Sequence, residues 1–337
     1  MDLHIERLID ESRTDDWHSV GVATLAHDQP DLIADPVEEV RAQVPDGSPG
    51  RPMEFHVGYA DGLPVARTRL VLPTRDNTQF AFAKLEVVPA HRRRGYGRAM
   101  FEHLRERAIA RDRTILVGEV PGPLEGTPPG ALFAASLGAK EALRSIRRVL
   151  ELTGLPPAQL ERLETEARER AEGYELVCWD DHAPNDVVED VAALLGRMVT
   201  DAPMGDLQME KEDWDESRVR EFENDSVRWG RARLAVGARA VADRRLVALT
   251  EMGVSRIQPA IAYQWDTIVA PEHRGHRLGQ WVKSVNLRRL MTEMPDTKRV
   301  TTWNAEANRF MIEVNERLGF RPVDREYEWQ LELADAG

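Results

Sequence analysis

The sequence predicts an α+β protein of two tandem domains, each with a mixed β-sheet flanked by helices. A strand–turn–helix pattern occurs twice, over 87–97 and again over 268–279. Each copy is a β-branched strand that breaks at proline, crosses a basic turn with glycine and opens a helix. Strands also alternate with helices in a similar order around both copies. At 337 residues the chain is long enough for two ordinary domains.

Composition and charge narrow the possible classes of protein. With 42% hydrophobic and 31% charged residues, the chain reads as a soluble globular protein. No segment has the apolar length of a membrane span and the N-terminus does not resemble a signal peptide, so we expect a cytoplasmic protein with no membrane partner. The single cysteine, Cys178, excludes an internal disulfide and is expected to be a buried small hydrophobe. A net charge of −13 disfavours a nucleic-acid partner.

The predicted first domain spans residues 1–152 and begins with a hairpin. Asp61 and Gly62 form a two-residue turn signal between two strand-like segments. The third strand runs into the first basic turn, and a Pro/Gly-rich break follows the fourth. The predicted strands of this domain lie at 54–59, 64–70, 80–88, 114–118 and 147–152.

A linker helix over 153–172 and a second domain over 173–337 complete the prediction. Two prolines open the helix and Gly173 closes it, and its charges read as a solvated face. The second domain repeats the order of the first, with a hairpin turn at Asp243 and Arg244. Its predicted elements are helices near 186–199, 213–228 and 308–318, and strands at 246–254, 261–269, 299–303 and 327–333.

The two basic turns predict anion-binding sites. Residues 92–97 match the pattern Q/R-x-x-G-x-G/A, and a helix that opens after such a turn directs free amides and the positive end of its dipole at a bound anion. Glycines allow the backbone to approach a diphosphate closely, although a basic surface turn is the alternative. The predicted binding residues are Val88, Arg93, Arg94, Gly95, Tyr96, Gly97 and Arg98 in the first copy, and Val269, Arg274, Gly275, His276, Arg277, Leu278 and Gly279 in the second.

A second group of polar residues follows the last predicted helix signal. Asn308 and Asn315 share one helix face, and Asn304 precedes them. Asparagine is a poor helix former, which favours a functional role, although Asn304 or Asn308 could merely be caps. Gly319 and Phe320 are typical of a helix end, with glycine at the C′ position and an apolar anchor after it.

These motifs resemble the GNAT superfamily of N-acetyltransferases. The turn, its preceding strand and the later N-x6-N-x3-G-F helix occur here as a tandem pair, as in the two-domain mycothiol-synthase-like members from actinobacteria, and the likeness covers nearly the whole chain. The resemblance implies a sheet that splays at the strand before the turn. It also implies that acetyl-CoA lies in that cleft, with its diphosphate on the turn amides.

Two departures from the family pattern decide which domain we expect to be catalytic. Arg277 stands where the pattern has its first glycine, and Asn315 stands where the family usually has a tyrosine that protonates the departing thiolate. The first domain has Ala134 at that tyrosine position and no paired asparagines. We therefore expect the second domain to be catalytic and the first to be a degenerate copy.

Acetyl transfer to an amine needs a base more than an acid at neutral pH, because an amine titrates near ~10.4 and a thiol near ~8.5. Glu251 and Asp266 are candidate bases, since carboxylates inside apolar strands are unusual, although either could lie on an exposed face. A backbone amide near Val269 is expected to polarise the thioester carbonyl. Glu86 is the comparable carboxylate of the first domain. Asp201 could attract a cationic acceptor or merely cap a loop.

The leading interpretation is an N-acetyltransferase that uses acetyl-CoA as cosubstrate and acetylates a primary amine of a small molecule or peptide by direct attack, as a monomer or homodimer. A noncatalytic CoA-binding regulatory protein is the alternative, because neither domain has the tyrosine. An aminoacyl-tRNA-dependent transferase is a third possibility, which the acidic charge disfavours. No group of residues has metal-ligand spacing.

Overall fold

The computed structural model describes residues 3–333 and divides the chain into two compact units. Unit 1 comprises Met1–Arg144, Gly205–Glu210 and Asp324–Gly337, and unit 2 comprises Ser145–Met204 and Lys211–Val323. Positions 1, 2 and 334–337 of the predicted domains lie outside the described residues.

The helices and strands follow in chain order. The strands are β1 His4–Arg7, β2 Gly47–Ser48, β3 Arg51–Ala60, β4 Leu63–Val71, β5 Phe80–Val87, β6 Ile115–Gly122, β7 Lys140–Glu151, β8 Tyr174–Asp180, β9 Arg231–Ala240, β10 Leu246–Ser255, β11 Ile261–Val269, β12 Arg299–Ala305 and β13 Arg321–Glu332. The helices are α1 Thr14–Asp28, α2 Val37–Arg41, α3 Tyr96–Ile109, α4 Pro129–Ser136, α5 Pro157–Arg168, α6 Val188–Leu195, α7 Met198–Asp201, α8 Glu216–Arg228, α9 Leu278–Glu293 and α10 Arg309–Leu318.

Each unit contains a strand from the other half of the chain. Most of β7 belongs to unit 2, where it pairs with β12 from Glu151 opposite Arg299 onward. Most of β13 belongs to unit 1, where its residues 325–332 pair with the whole length of β6. The compact units therefore differ from the predicted ranges 1–152 and 173–337 by a strand exchange and by Gly205–Glu210, which belongs to unit 1. Both strands were expected in the domain that their position in the chain suggests, because an alternating pattern does not specify the neighbouring strand.

The sheet of unit 1 has the order β1-β3-β4-β5-β6-β13. Its β5–β6 pair is parallel and its other pairs are antiparallel, so the sheet is mixed as predicted. Helix α3 packs on one face through Met100, Leu104 and Ala108, the stripe expected from the sequence. Leu333, the residue after the exchanged strand, completes this core.

The sheet of unit 2 has the order β8-β9-β10-β11-β12-β7, with a parallel β11–β12 pair. Helices α9 and α5 pack on one face, and α6 and α8 bury apolar side chains with residues of the other. Helix α5 is the predicted linker helix, but the structure places it within unit 2. Its apolar stripe of Leu160, Leu163 and Ala167 is buried, so only its opposite face is solvated.

Both sheets splay beside the strand that leads into a basic turn. In unit 1, β5 pairs with β6 from Phe80 to Ala83, and in the described residues the ladder stops before the turn is reached. In unit 2, β11 pairs with β12 from Ile261 to Tyr263 and the rest of that edge is open along the described chain. The splay that the family resemblance implied is confirmed in both units.

Other local predictions can be compared directly with the structure. The Asp61–Gly62 hairpin turn has positive φ at both residues, and Arg244 has positive φ in the second hairpin, as expected for such turns. Cys178 is exposed on β8, so its predicted burial is wrong: it lies on a strand with one neighbour, β9. Within residues 3–333, no helix has both the length and the apolarity to cross a membrane.

Candidate active site

The two basic turns follow the same backbone path. In unit 1 the left-handed residues are Arg93 (φ 61°) and Gly95 (φ 85°), and in unit 2 they are Gly275 (φ 87°) and Arg277 (φ 56°). The same two positions are left-handed in both turns, with glycine and arginine exchanged between them. An L-residue in this region costs about 1–2 kcal/mol, so each turn carries one such cost. Arg277 thus preserves the backbone of the second turn although it departs from the glycine pattern.

An arginine at the start of each turn fixes it to the protein. Nε of Arg92 donates to the carbonyl of the last residue of β5 at 2.9 Å, and its Nη2 donates to Asp28 at 2.5 Å. Nε of Arg274 donates to the last residue of β11 at 3.2 Å, and its Nη2 donates to Asp201 at 2.9 Å. Asp201 therefore supports the turn. The predicted diphosphate ligand Arg274 holds the turn against the end of α7.

The strand ends differ from the prediction in one position. The N–H of Val88 donates to the carbonyl of Val65 at 2.9 Å, so it does not face the open edge as predicted, and the residue before it takes that place. In unit 2 the N–H of Ala270 donates to Val247 at 2.8 Å. Because amides alternate in direction along a strand, the N–H of Val269 is directed at the open edge of β11. That is where a carbonyl oxygen in the cleft would accept a hydrogen bond.

The helix N-termini leave amides free for an anion. In α9 the first amide with a helical hydrogen bond is that of Trp281, which donates to the carbonyl of Arg277. In α3 it is that of Ala99, which donates to the carbonyl of Gly95. The amides before them have no helical partner by geometry. They belong to Leu278, Gly279 and Gln280 in unit 2, and to Tyr96, Gly97 and Arg98 in unit 1.

Several other predicted binding side chains of the turns are exposed, whereas Tyr96 is buried in the core of unit 1. Arg93, Arg94 and Arg98 of unit 1 reach solvent, as do His276 and Arg277 of unit 2. His276 Nδ1 lies 3.3 Å from the carbonyl of Arg170, and Nη1 of Arg277 lies 3.4 Å from Glu166. These weak contacts leave both side chains able to turn toward a bound anion.

A β-bulge brings the two candidate bases together. The register between β10 and β11 shifts beside Glu251, which lies opposite two residues, Trp265 and Asp266. Nη2 of Arg233 donates to Oε1 of Glu251, and these two side chains are 2% and 1% exposed. Oε2 of Glu251 accepts no hydrogen bond from any residue in the described range.

The electrostatics favour Asp266 over Glu251 as the base. Burial first and the neighbouring Glu251 carboxylate second raise the pKa of Asp266 to about 7. A carboxylate with a pKa near the working pH is well suited to accept a proton. Glu251 is committed to Arg233, so its role in the geometry is to hold that guanidinium and to raise the pKa of Asp266.

The corresponding positions of unit 1 carry the opposite charge. Ala66 lies opposite Val87 as Ala248 lies opposite Val269, which aligns the two pairs of strands. Three residues further along β4, Arg69 takes the place of Glu251, and the residue across from it is Lys84, in the place of the bulge. The ladder in unit 1 runs with continuous register through this region.

Glu86, the comparable carboxylate expected in the first domain, is one residue before the strand end and is already engaged. Nε of Arg67 donates to its Oε2 at 2.5 Å and the hydroxyl of Thr24 donates to its Oε1 at 3.0 Å. Its counterpart in unit 2 is Ile268. Both carboxylate oxygens of Glu86 are therefore engaged by side chains of the same unit.

Two of the three asparagines contact each other, and the third caps a helix. Nδ2 of Asn315, which is 0% exposed, donates to Oδ1 of Asn304 at 2.6 Å, and Oδ1 of Asn315 has no partner among residues 3–333. Asn308 caps α10 by accepting from the amide of Met311 at 3.2 Å, which is the capping role that the sequence left open. Gly319 ends the helix in the left-handed conformation, as predicted.

Sequence reasoning missed the residues that surround the carboxylates. Arg233 lies on a neighbouring strand, and Trp265 and Phe222 form a ring pair with centroids 5.9 Å apart. The one available signal was the unusual Trp-Asp pair inside an otherwise apolar strand. The described part of the chain holds no cluster of three metal-ligating side chains.

Solved structures with a similar fold identify the family. A tandem GNAT protein from the clavulanic acid biosynthesis pathway is 29% identical, with a TM-score of 0.80 and 100% of both chains covered. The chain is a tandem GNAT protein. The predicted fold class and the assignment to the N-acetyltransferases are thereby confirmed.

More distant GNAT structures share the fold alone. A GCN5-related N-acetyltransferase from Sphaerobacter thermophilus is 14% identical, with a TM-score of 0.67 and coverage of 98% of this chain and 96% of that one. A glucosamine N-acetyltransferase region in a fungal multi-domain β-N-acetylglucosaminidase is 10% identical, with a TM-score of 0.68, 98% of this chain and 38% of that one covered. No protein-family model and no curated protein sequence matches the chain.

Proposed function

We propose that unit 2 transfers the acetyl group of acetyl-CoA to a primary amine by direct attack of the amine on the thioester. The observation that carries this proposal is the bulge on β11, which sets Asp266 beside the open strand edge and next to an intact anion-binding turn. Acetyl-CoA supplies the acetyl group in activated form as a thioester.

The residues present fit such a cosubstrate. Amides at the start of α9, with the exposed side chains of His276 and Arg277, would hold the diphosphate. The Val269 N–H at the open edge would donate to the thioester carbonyl oxygen and polarise it. A Cβ added at Gly279 would lie 3.5 Å from Cγ2 of Val269, an ordinary contact, and would stand between the turn and the strand end.

Asp266 is the proposed base. Its carboxylate would take a proton from the acceptor ammonium, so that the nitrogen lone pair is free to attack the carbonyl carbon. The carbon–sulfur bond then breaks, and the thiolate takes the proton that the new amide nitrogen loses. The amide of Asn315 is no acid, and we propose that it positions Asn304 beside the cleft while water or the thiolate itself completes the proton transfer.

We propose that unit 1 binds CoA without transferring its acetyl group. Its turn has the same backbone as the active turn, but Arg69 and Lys84 stand where unit 2 has Glu251 and Asp266. A cationic pair repels an ammonium and accepts no proton from it. The first domain would then be a degenerate copy that serves as a CoA-binding or regulatory module.

The acceptor is proposed to be a small-molecule or peptide amine met in the cytoplasm, with nucleic acid and membrane excluded as partners. Fractionation of cells and light scattering on the purified protein test the location and the monomer or homodimer state.

Acetyl transfer itself is tested with purified protein, acetyl-CoA and a set of primary amines, with the acetylated product detected by mass spectrometry. Product formed by the wild-type protein and lost in Asp266→Asn supports the proposal. Tight acetyl-CoA binding without any product, or with product that Asp266→Asn does not reduce, contradicts it.

A further inference from the structure

An aromatic cluster lies beside the bulge that carries Asp266 in unit 2. The ring centroids of Trp214 and Phe222 are 6.3 Å apart, and those of Phe222 and Trp265 are 5.9 Å apart. All three side chains are half-buried, so the cluster presents ring surface to solvent beside a buried ion pair. Trp265 belongs to the bulge that also carries Asp266.

Two arginines already occupy part of this aromatic surface. The guanidinium of Arg233 lies 4.8 Å from the ring centroid of Phe222 and 5.8 Å from that of Trp265. The guanidinium of Arg218 lies 4.5 Å from the ring centroid of Trp214. Such stacked cations hold the rings in place and leave apolar edges available for contact.

The charges around the cluster leave one carboxylate without a cation. Arg233 pairs with Glu251, and Arg218 pairs with Glu212 at 3.2 Å. Among the described residues Asp266 has no cation in direct contact, and Arg233, which acts on it electrostatically, is itself paired with Glu251. A ligand with one positive charge would therefore complete the charge balance of the site.

A buried acceptor atom points to the same kind of ligand. Glu251 is 1% exposed, yet its Oε2 accepts no hydrogen bond within residues 3–333. A buried polar atom without a partner is costly, the more so when it is charged, so a donor that arrives with the substrate would be favoured. An ammonium carries three such donors.

We propose that the acceptor of unit 2 is a monocationic primary amine whose carbon skeleton carries an aromatic group. Its ammonium lies between Asp266 and Oε2 of Glu251, and its aromatic group packs against Phe222 and Trp265. This inference rests on the proposed acetyl transfer in unit 2. It separates aromatic amines from polyamines, whose further charges meet Arg233 and Arg218, and from amino sugars, whose hydroxyls gain little from apolar rings.

The experiment compares four amines at saturating acetyl-CoA: 2-phenylethylamine, ethylamine, spermidine and glucosamine. Mass spectrometry of the N-acetyl product is preferred to a thiol reagent, because the exposed Cys178 also reacts with such reagents. We expect kcat/KM for 2-phenylethylamine to exceed that for ethylamine about tenfold or more, since the phenyl ring buries apolar surface on the cluster.

Variants of Phe222 test whether its ring causes the preference for an aromatic amine. Phe222→Leu keeps apolar volume and removes the ring, and we expect it to reduce the ratio of the two kcat/KM values to within about threefold of unity, with acetyl-CoA affinity unchanged. Phe222→Ala should reduce it further. Ile257→Ala, an exposed apolar residue after β10, is the matched control and should leave the ratio intact.

The outcomes distinguish this inference from the function on which it rests. If acetyl-CoA binds and ethylamine, spermidine or glucosamine is the best acceptor, or if none of the four is acetylated, the aromatic preference is wrong while acetyl transfer to other amines stands. If Phe222→Leu lowers the rate with ethylamine as much as with 2-phenylethylamine, the ring has only a structural role and the inference fails. If acetyl-CoA does not bind at all, both proposals fail.

Discussion

The two units share a turn and differ in the strands beside it. Both turns use two left-handed residues, an arginine tied to a carboxylate and a helix whose first amides are free. Next to the turn, unit 1 has Arg69 and Lys84 in a continuous ladder, and unit 2 has Glu251 and Asp266 at a bulge. On the proposed function, anion binding depends on the turn and proton transfer on the strands beside it, so separate parts of the fold would specify the two steps.

The exchange of arginine and glycine shows how little the turn depends on one residue. The pattern of the family puts glycine at the position of Gly95, but the turn of unit 2 has Arg277 there and its glycine two residues earlier. The backbone tolerates either order, because the cost of one strained L-residue is small against the packing of the helix that follows.

The largest effect is expected on the rate of acetyl transfer, from a substitution at the bulge. Asp266→Asn should lower the rate of acetyl transfer about 10²-fold or more, because the base is removed. Lys84→Asn, the matched change in unit 1, should leave the rate within about twofold of wild type. Steady-state kinetics with one amine check both. Equal losses in the two variants would break the distinction between the units.

The strand exchange predicts which unit a core substitution destabilises. Leu333→Ala should destabilise unit 1 by about 2 kcal/mol, because this residue of the C-terminal half is buried in the core of the first unit. Amide exchange should become faster in β6 and stay unchanged in β11. Val323→Ala, at an exposed position, serves as the control. Faster exchange confined to β11 would show that the strand belongs to the second unit in solution.

The substitution that should lower the rate of acetyl transfer should raise stability at high pH, because the pKa of Asp266 is raised. A carboxyl whose folded pKa is about 7, above its unfolded value near ~3.9, binds its proton more tightly in the native state. Its stabilising contribution is therefore present below pH ~4 and is lost as the pH rises through ~7. Asp266→Asn should raise Tm relative to wild type at pH 8 and not at pH 4.

Thermal unfolding followed by circular dichroism measures this difference, with Lys84→Asn as the comparison in unit 1. A Tm difference between Asp266→Asn and wild type that stays constant from pH 4 to pH 8 would show that Asp266 titrates normally. It would then be a weaker base than the mechanism requires.

The smallest effect is expected on stability, from substitutions in the two turns. Arg277→Gly relieves the strain of a left-handed L-residue but adds the flexibility of glycine to the unfolded chain, so stability should change by less than about 1 kcal/mol. Gly95→Ala should cost about 1 kcal/mol. Urea titrations compare the two. A larger loss for Arg277→Gly would mean that its contact with Glu166 matters for the fold.

The sequence predicted the parts of the site that are local in the chain. The turns, the hairpins, the stripe of α3 and the Gly319 helix end follow from short patterns of residues, and they are present in the structure. The bulge was not predictable, because it depends on the register of β10 against β11. The partner of Glu251 could not be named either, since Arg233 lies on a strand that only the sheet order brings alongside.

The strand exchange is the second feature that could not be predicted from the sequence. The residues of β7 and of β13 alternate in the same way as any terminal strand, and nothing in either pattern specifies the unit that it joins. For Asn308, by contrast, the sequence did suggest the observed role, because capping was one of its two alternatives and the residue caps α10.

Calorimetric titration with acetyl-CoA tests the central claim most directly, in the wild-type protein and in the matched variants Gly97→Ala and Gly279→Ala. Both substitutions add a methyl group with ordinary contacts beside the end of the preceding strand, 3.7 Å from its nearest neighbour in unit 1 and 3.5 Å in unit 2. The account predicts two sites in the wild type, and an affinity about tenfold weaker at one site in each variant, with acetyl transfer reduced only by Gly279→Ala. A single site, or a loss of transfer caused by Gly97→Ala, would contradict it.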